Sequence, residues 1–180
     1  MNSVKYILTL GLAAFALGCP ARSLFPLFAE KDLMTLPNGV GTWVGAKADT
    51  VTVQTADGRH YSLTVRNPEG ESGQYVGQVG KLGNSWFVDS YPAAQGIDHH
   101  LIRTHIISKI RLEKDSLWVA SLESDWLKKM SSAGSLQIQH VMRDNEIILT
   151  ASTEELQQFV LRYADDPGAF AKADVYARMK

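Results

Sequence analysis

Two alternating runs on either side of one Asp-Gly pair constrain this chain more than any other feature. Residues 50–55 read Thr-Val-Thr-Val-Gln-Thr, with Val51 and Val53 on one face. Asp57-Gly58 follows, and then 59–65 puts Tyr61, Leu63 and Val65 on one face and His60, Ser62 and Thr64 on the other. Alternation of period two means a strand with one buried face. Glycine after Asp tolerates the positive φ of a tight turn, so the pair predicts a hairpin. Further strands are expected at 41–45, 74–81, 85–90, 102–112, 117–122, 136–142 and 147–151. Their breaks at Gly83-Asn84, Lys114-Asp115 and Asp144-Asn145 are also of hairpin type. About nine short strands on tight connections predict a mainly β fold, an antiparallel meander closing into a barrel of about 8–9 strands rather than alternating β-α units.

Two helices interrupt the pattern. A short one is expected near 124–131, with Ser124 as its N-cap and Trp126, Leu127 and Met130 at core spacing. A C-terminal helix is expected near 153–164. Ser152 and Glu155 make a capping box, and Leu156, Phe159, Val160 and Tyr163 form one stripe. The lead-in before the first long strand is apolar in patches and broken by Pro26 and Pro37. It suits a short helical stretch at 28–34 that plugs one barrel end. The tail, 169–180, is expected to add a last short helix.

Composition narrows the function. With 45% hydrophobic and 21% charged residues the chain is ordinary globular material, and its 180 residues suit one domain. Charges are balanced, 18 Lys+Arg against 19 Asp+Glu, which argues against a general nucleic-acid binder. One cysteine excludes an intrachain disulfide framework and any Cys-rich zinc site.

That cysteine follows a telling segment. Lys5 is the one early charge, residues 6–17 are an apolar run, and Gly18-Cys19 comes next. The run has the length of a secretory signal core and is short for a membrane-spanning helix. Ala16-Leu17-Gly18-Cys19 resembles the lipobox of bacterial lipoproteins, matching at Gly18 and Cys19 and departing at Ala16 and Leu17. The resemblance implies cleavage between Gly18 and Cys19, with 1–18 a signal peptide, 19–37 a lipidated lead-in and 38–180 a single barrel-like domain. It implies a diacylglyceryl and an N-acyl chain (palmitate-type acylation) on Cys19. Two or more chains hold a protein stably on a bilayer where one does not. Acylation also consumes a thiol that an oxidising compartment would attack. Cleavage removes Lys5, leaving 17 basic residues against 19 acidic. Pro20, in place of an aspartate, points to the outer rather than the inner membrane of a Gram-negative cell, with the domain facing the periplasm.

Gly41-Thr42-Trp43 opens the first strand after an irregular lead-in. This resembles the Gly-x-Trp signature of the lipocalin or wider calycin group. The resemblance implies a barrel with the Trp closing one end and a late basic residue, Arg162 or Arg178, packed on it. It would cover roughly residues 33–164, and the 124–131 insertion and an extra strand depart from the usual eight-strand order.

Groups that carry chemistry are sparse. Asp98-His99-His100 with His105 is the one cluster of metal-ligand type, but adjacent strand residues face opposite ways, so it is read as a solvated loop with a hydrogen-bonded His105 and not as a metal site. His60 and His140 are isolated and are read as polar-face residues. There is no Gly-x-Ser-x-Gly elbow, and 131–134 is read as a flexible turn. Gly77-Gln78-Val79-Gly80 with Gly83 is read as strand glycines at close backbone approach, not as a phosphate loop. Glu154-Glu155 suits a helix N-terminus and Asp165-Asp166 a helix end. Trp86, Phe87, Tyr91, Trp118 and Trp126 either line a cavity or form plain core.

The expectation is therefore a non-enzymatic, cofactor-free lipoprotein. Its barrel binds a small apolar or amphipathic ligand; the alternative is an envelope interaction protein with a filled barrel. If Cys19 carries the anchor, Cys19→Ser should move the protein from the carbonate-washed membrane pellet to the soluble fraction with its circular dichroism unchanged. Recovery of the variant in the pellet at the wild-type level would count against acylation.

Overall fold

The computed structural model describes residues 19–93 and 102–180. In chain order it contains β1 (Arg22–Ser23), one 3-10 turn (Glu30–Asp32), β2 (Gly41–Gly45), β3 (Thr50–Thr55), β4 (His60–Arg66), β5 (Ser72–Leu82) and β6 (Ser85–Pro92). Then follow β7 (His105–Glu113), β8 (Ser116–Ser121), α1 (Ser124–Ser132), β9 (His140–Arg143), β10 (Glu146–Leu149), α2 (Thr153–Arg162) and β11 (Asp174–Arg178).

Eight of these strands form a closed antiparallel barrel. β2 to β8 run as a meander, β6 pairs with β7, and β11 closes the wall between β8 and β2. This is the antiparallel barrel that the strand spacing predicts, and it is consistent with the lipocalin-like resemblance. Closure leaves no free edge in the wall itself. Each ladder keeps one register along its whole length. Carried once around the wall, the registers return to β2 displaced by twelve residues. At a fixed strand number a larger stagger tilts the strands further and widens the barrel. A (β/α)8 barrel has the same strand number and a shear of about 8, and side chains fill it. This wall encloses more room than that.

The period-two faces divide the apolar residues into two cores. Trp43, Tyr61, Val79, Ile110, Leu117 and Tyr176 point inward, joined by Val51, Val53, Leu63, Val88 and Val119. Phe87 and Ile107, on the opposite phase of β6 and β7, point outward. They pack under α1, α2 and the lead-in with Leu27, Phe28, Leu122, Leu127, Leu149, Leu156, Phe159 and Val160. The predicted stripe of α2 is thus the one it buries, and its capping box is formed: Glu155 N–H donates to Ser152 Oγ, and Ser152 N–H to Glu155 Oε2 at 2.9 Å. Backbone and side-chain hydrogen bonds from Ser152 hold the Glu155 carboxyl below its ordinary range.

The lead-in is a strap. β1 sits against the upper end of β7 and runs parallel to β10, so β1, β10 and β9 extend the sheet sideways. The chain then crosses the outer wall, where Phe28 lies so close to Gly80 that a Cβ there would stand 2.5 Å from its ring. Leu27 N–H donates to Asp89 Oδ2 at 2.7 Å, and His105 Nδ1 meets Asp89 Oδ1 at 2.8 Å, so this fully buried carboxylate is satisfied by the strap and by β7. Met34 N–H then reaches the Val79 carbonyl, and Leu36 N–H the Tyr61 hydroxyl. The lead-in therefore does plug one barrel end, but only Glu30–Asp32 is helical, where 28–34 was expected. Pro26 and the extended backbone at Ala29 and Leu33 confine it to one turn.

At the plugged end Trp43 is fully buried, donates from Nε1 to the Gly39 carbonyl at 3.1 Å and carries Arg178 over its ring at 4.2 Å. Arg178 donates to the carbonyls of Val40 and Asn38. Of the two late arginines it is therefore Arg178 that packs on the Trp; Arg162 bonds Gln137 on the outside. Gly41 has φ +142, and a Cβ there would lie 2.6 Å from the Arg178 guanidinium.

Three expectations need correction. The tail is not a helix: Val175 and Ala177 alternate with Tyr176, and the strand they make is the one that closes the barrel. Ser124 is the first helical residue of α1 rather than its cap, because Glu123 occupies that place with no side-chain bond. Residues 102–104 and 136–139 lie outside their predicted strands; Leu136 and Ile138 pack on the outer core instead of pairing.

Gly41→Ala forces a Cβ into both an unfavourable φ and the Arg178 guanidinium, and should cost about 2–3 kcal/mol. Gly58→Ala, at φ +85 with open space around it, should cost about 1 kcal/mol. Urea unfolding of the two variants checks the difference; equal losses would separate Gly41 from the Trp43–Arg178 closure.

Candidate functional site

The barrel is not filled. A cavity of about 550 Å³ runs along its interior. Leu36, Gly39 and Tyr61 lie toward the plugged end. Its walls are Val51 and Val53 of β3, Leu63 and Val65 of β4, Val79 of β5, Val88 of β6, Ile106 and Ile110 of β7, Leu117 and Val119 of β8 and Tyr176 of β11. Val51, Val53, Leu63, Val88, Ile106 and Val119 are only half-buried, although each faces the interior. The valines and Leu63 pack on the inner core on one side and meet the void on the other. An eight-stranded barrel has room either for its own side chains alone or for one small ligand as well, and the stagger of this wall leaves the larger space.

Polar groups are few and lie toward the open end. Ser90, Thr104 and Ser108 form a short stripe where β6 meets β7, with Ser108 Oγ 2.9 Å from Ser121 Oγ. Tyr75 faces the same space, and burial pushes its hydroxyl pKa up. Burial, and after it Asp49, pushes Tyr176 up as well. Both phenols thus stay neutral hydrogen-bonding groups across the physiological range. An apolar tube with a few hydroxyls near one end is built to hold an apolar body and orient one polar group.

The rim at the open end holds Cys19, Pro20 and Arg22 beside Pro92 and Thr104. These lead-in residues are part of the wall. Above Ser108–Ser121 the ladder of β7 and β8 parts, and β1 takes over as the partner of β7. Pro20 bridges to Glu123, Ala21 N–H donates to the Leu122 carbonyl, and Ser124 N–H donates to the Cys19 carbonyl at 3.1 Å. Cys19 is itself exposed.

The other singled-out residues lie elsewhere. Asp98, His99 and His100 fall outside the described residues. His105 is hydrogen-bonded, as expected, but on the outer wall to Asp89, with the Tyr91 ring 5.0 Å away. His60 faces outward between Asp57, Glu30 and Gln78. Backbone amides of His60 and Arg59 hold the Asp57 carboxyl down at about 2. His140 bonds Ser131 and the Ile138 carbonyl. Among the described residues, no three His, Cys, Asp or Glu gather as a metal site would need. Gly77 and Gly80 are strand glycines of β5 at close approach, to Leu63 and Phe28. Trp86, Phe87, Tyr91, Trp118 and Trp126 do not line the cavity. Phe87 and Trp126 belong to the outer core and Trp118 lies under Arg111 on the outside. The lining is aliphatic, with Tyr61, Tyr75 and Tyr176. Alternation in β3 and β4 already pointed to much of it; the rim formed by the lead-in had no signal in the sequence.

Protein-family models, curated protein sequences and solved structures yield no match to this chain.

A side chain facing a void loses little packing when it is shortened, whereas one in a dense core leaves a new cavity. Leu63→Ala should therefore cost about 1–2 kcal/mol and Leu127→Ala, fully buried on the inner face of α1, about 3–5 kcal/mol. Equal losses in urea unfolding would mean that the interior is packed.

Proposed function

We propose that this protein is a membrane-anchored lipoprotein of the Gram-negative envelope, acylated at Cys19 and facing the periplasm, whose lipocalin-like barrel binds one small apolar or amphipathic ligand without catalysis. The aliphatic cavity of about 550 Å³ is the observation that carries the reading. Water held against Val51, Val53, Leu63, Val88 and Val119 gains by leaving, and each Å² of apolar surface covered contributes roughly 25 cal/mol. The volume lies within the usual range of ligand sites. It favours ligand binding over the alternative, an interaction protein with a filled barrel. The sparse hydroxyls near the open end support an amphipathic ligand with its polar group at the rim. The acyl chains are the expected membrane partner, and no nucleic-acid partner is expected from the charge balance.

Native mass spectrometry of a chain purified without its anchor should show a co-purified apolar molecule in a one-to-one complex. Leu63→Trp combined with Val119→Trp should fill the tube, remove that mass and abolish the fluorescence gain of an apolar probe, with the fold intact. A probe that binds the double variant as tightly as wild type would place the ligand elsewhere.

A further inference from the structure

The rim around the cavity opening carries a surface that the ligand-binding reading does not use. β1 runs up the end of β7, so the next residues, Leu24 and Phe25, continue toward Thr104 and Arg103, with Ile102 next in the chain. Leu24 is 36% exposed, Phe25 48% and Ile102 77%. Large apolar side chains exposed together mark a surface with a partner. Arg22 and Arg103 are exposed among them, Arg22 in an exposed ion pair with Glu146 at 3.3 Å. Across the opening, the connection between β4 and β5 carries Glu69 and Glu71, both exposed. One side of the rim thus exposes apolar side chains with Arg22, its partner Glu146 and Arg103 among them, and the other is polar, with Arg66, Glu69 and Glu71 exposed.

The attachment point belongs to the side with the exposed apolar residues. Cys19 lies three positions before Arg22, a reach of at most ~11 Å. That stretch is not free to extend, because Cys19, Pro20 and Ala21 are already bonded to the segment 122–124. A lipid on Cys19 therefore has no flexible tether between it and the barrel.

We propose that the β1 side of this rim docks on the bilayer, so that the cavity opens toward the membrane and not toward the aqueous space. Leu24, Phe25 and Ile102 enter the headgroup region, Arg103 meets anionic headgroups, and the polar far rim with Glu69 and Glu71 stays in water. An apolar ligand would then pass between bilayer and barrel without crossing water. Aliphatic and aromatic residues flanked by basic ones are the composition that binds a bilayer interface. The inference rests on acylation of Cys19, and the experiment separates the two.

Acylation consumes the sole thiol, so the full-length protein purified from membranes should take up no thiol-directed fluorophore. Ile102→Cys at the rim and Asp57→Cys near the plugged end each supply one new thiol. The labelled proteins are placed in vesicles of phosphatidylethanolamine and phosphatidylglycerol with brominated acyl chains. The label at position 102 should be quenched severalfold relative to unbrominated vesicles, and that at position 57 should be unchanged. Labelling of the wild-type protein at Cys19 would overturn acylation, and the docking with it. Equal quenching at both positions, or none at either, in an acylated chain would overturn the docking alone. Absent quenching, with cross-links between the unlabelled thiols at position 102 of two copies in a parallel sample, would assign the rim to a second copy of the chain.

Discussion

Everything in this molecule depends on the way the barrel closes. Eight antiparallel strands could meet with less stagger, and the interior would then be filled by the same valines and leucines that now line a tube. Instead the registers accumulate to a displacement of twelve residues around the wall. The ladders hold that width, because backbone pairing fixes where each strand sits against the next. β11 makes the closure possible by pairing with both β8 and β2. Arg178 on that strand and Trp43 on β2 then seal one end through a ring contact and two carbonyls of the lead-in.

A wide barrel with a cavity along its axis draws only part of its stability from the inside. The compensating core lies on the outer face of β5, β6 and β7, where α1, α2 and the strap bury Phe28, Phe87, Ile107, Leu127 and Leu156. The insertion between β8 and β11 therefore supports the wall from without, so that the interior need not be packed. Asp89 shows how firmly the strap is held: a carboxylate without exposure persists because a backbone amide of the strap and the ring of His105 both satisfy it. The strap links the plugged end to the open one, joining the Trp43 seal to the rim that holds Cys19.

The functional reading follows from this division of labour. A stable outer layer leaves the inner surface free to meet a ligand, and the half-buried aliphatic side chains are where that ligand gains most. The rim adds direction, since the residue proposed to carry the lipid is hydrogen-bonded to the wall of the tube it borders.

The sequence by itself determined the strands and their inward faces. Val51, Val53, Tyr61, Leu63 and Val65 were legible because alternation is a local property, readable within six or seven residues. The capping box at Ser152–Glu155, the turn at Asp57-Gly58 and the Gly41–Trp43 signature were legible for the same reason. Tertiary structure alone decided what long-range pairing controls. Arg178 rather than Arg162 lies on Trp43, because β11 and not α2 borders β2. The tail pairs as a strand, because two open edges waited for it. The aromatic residues Trp118, Tyr91 and Phe87 turn outward, because register sets which phase of a strand faces in. Whether the tube is empty, and that Cys19 stands at its opening, depends on stagger summed over eight strands, a quantity no local window of sequence contains.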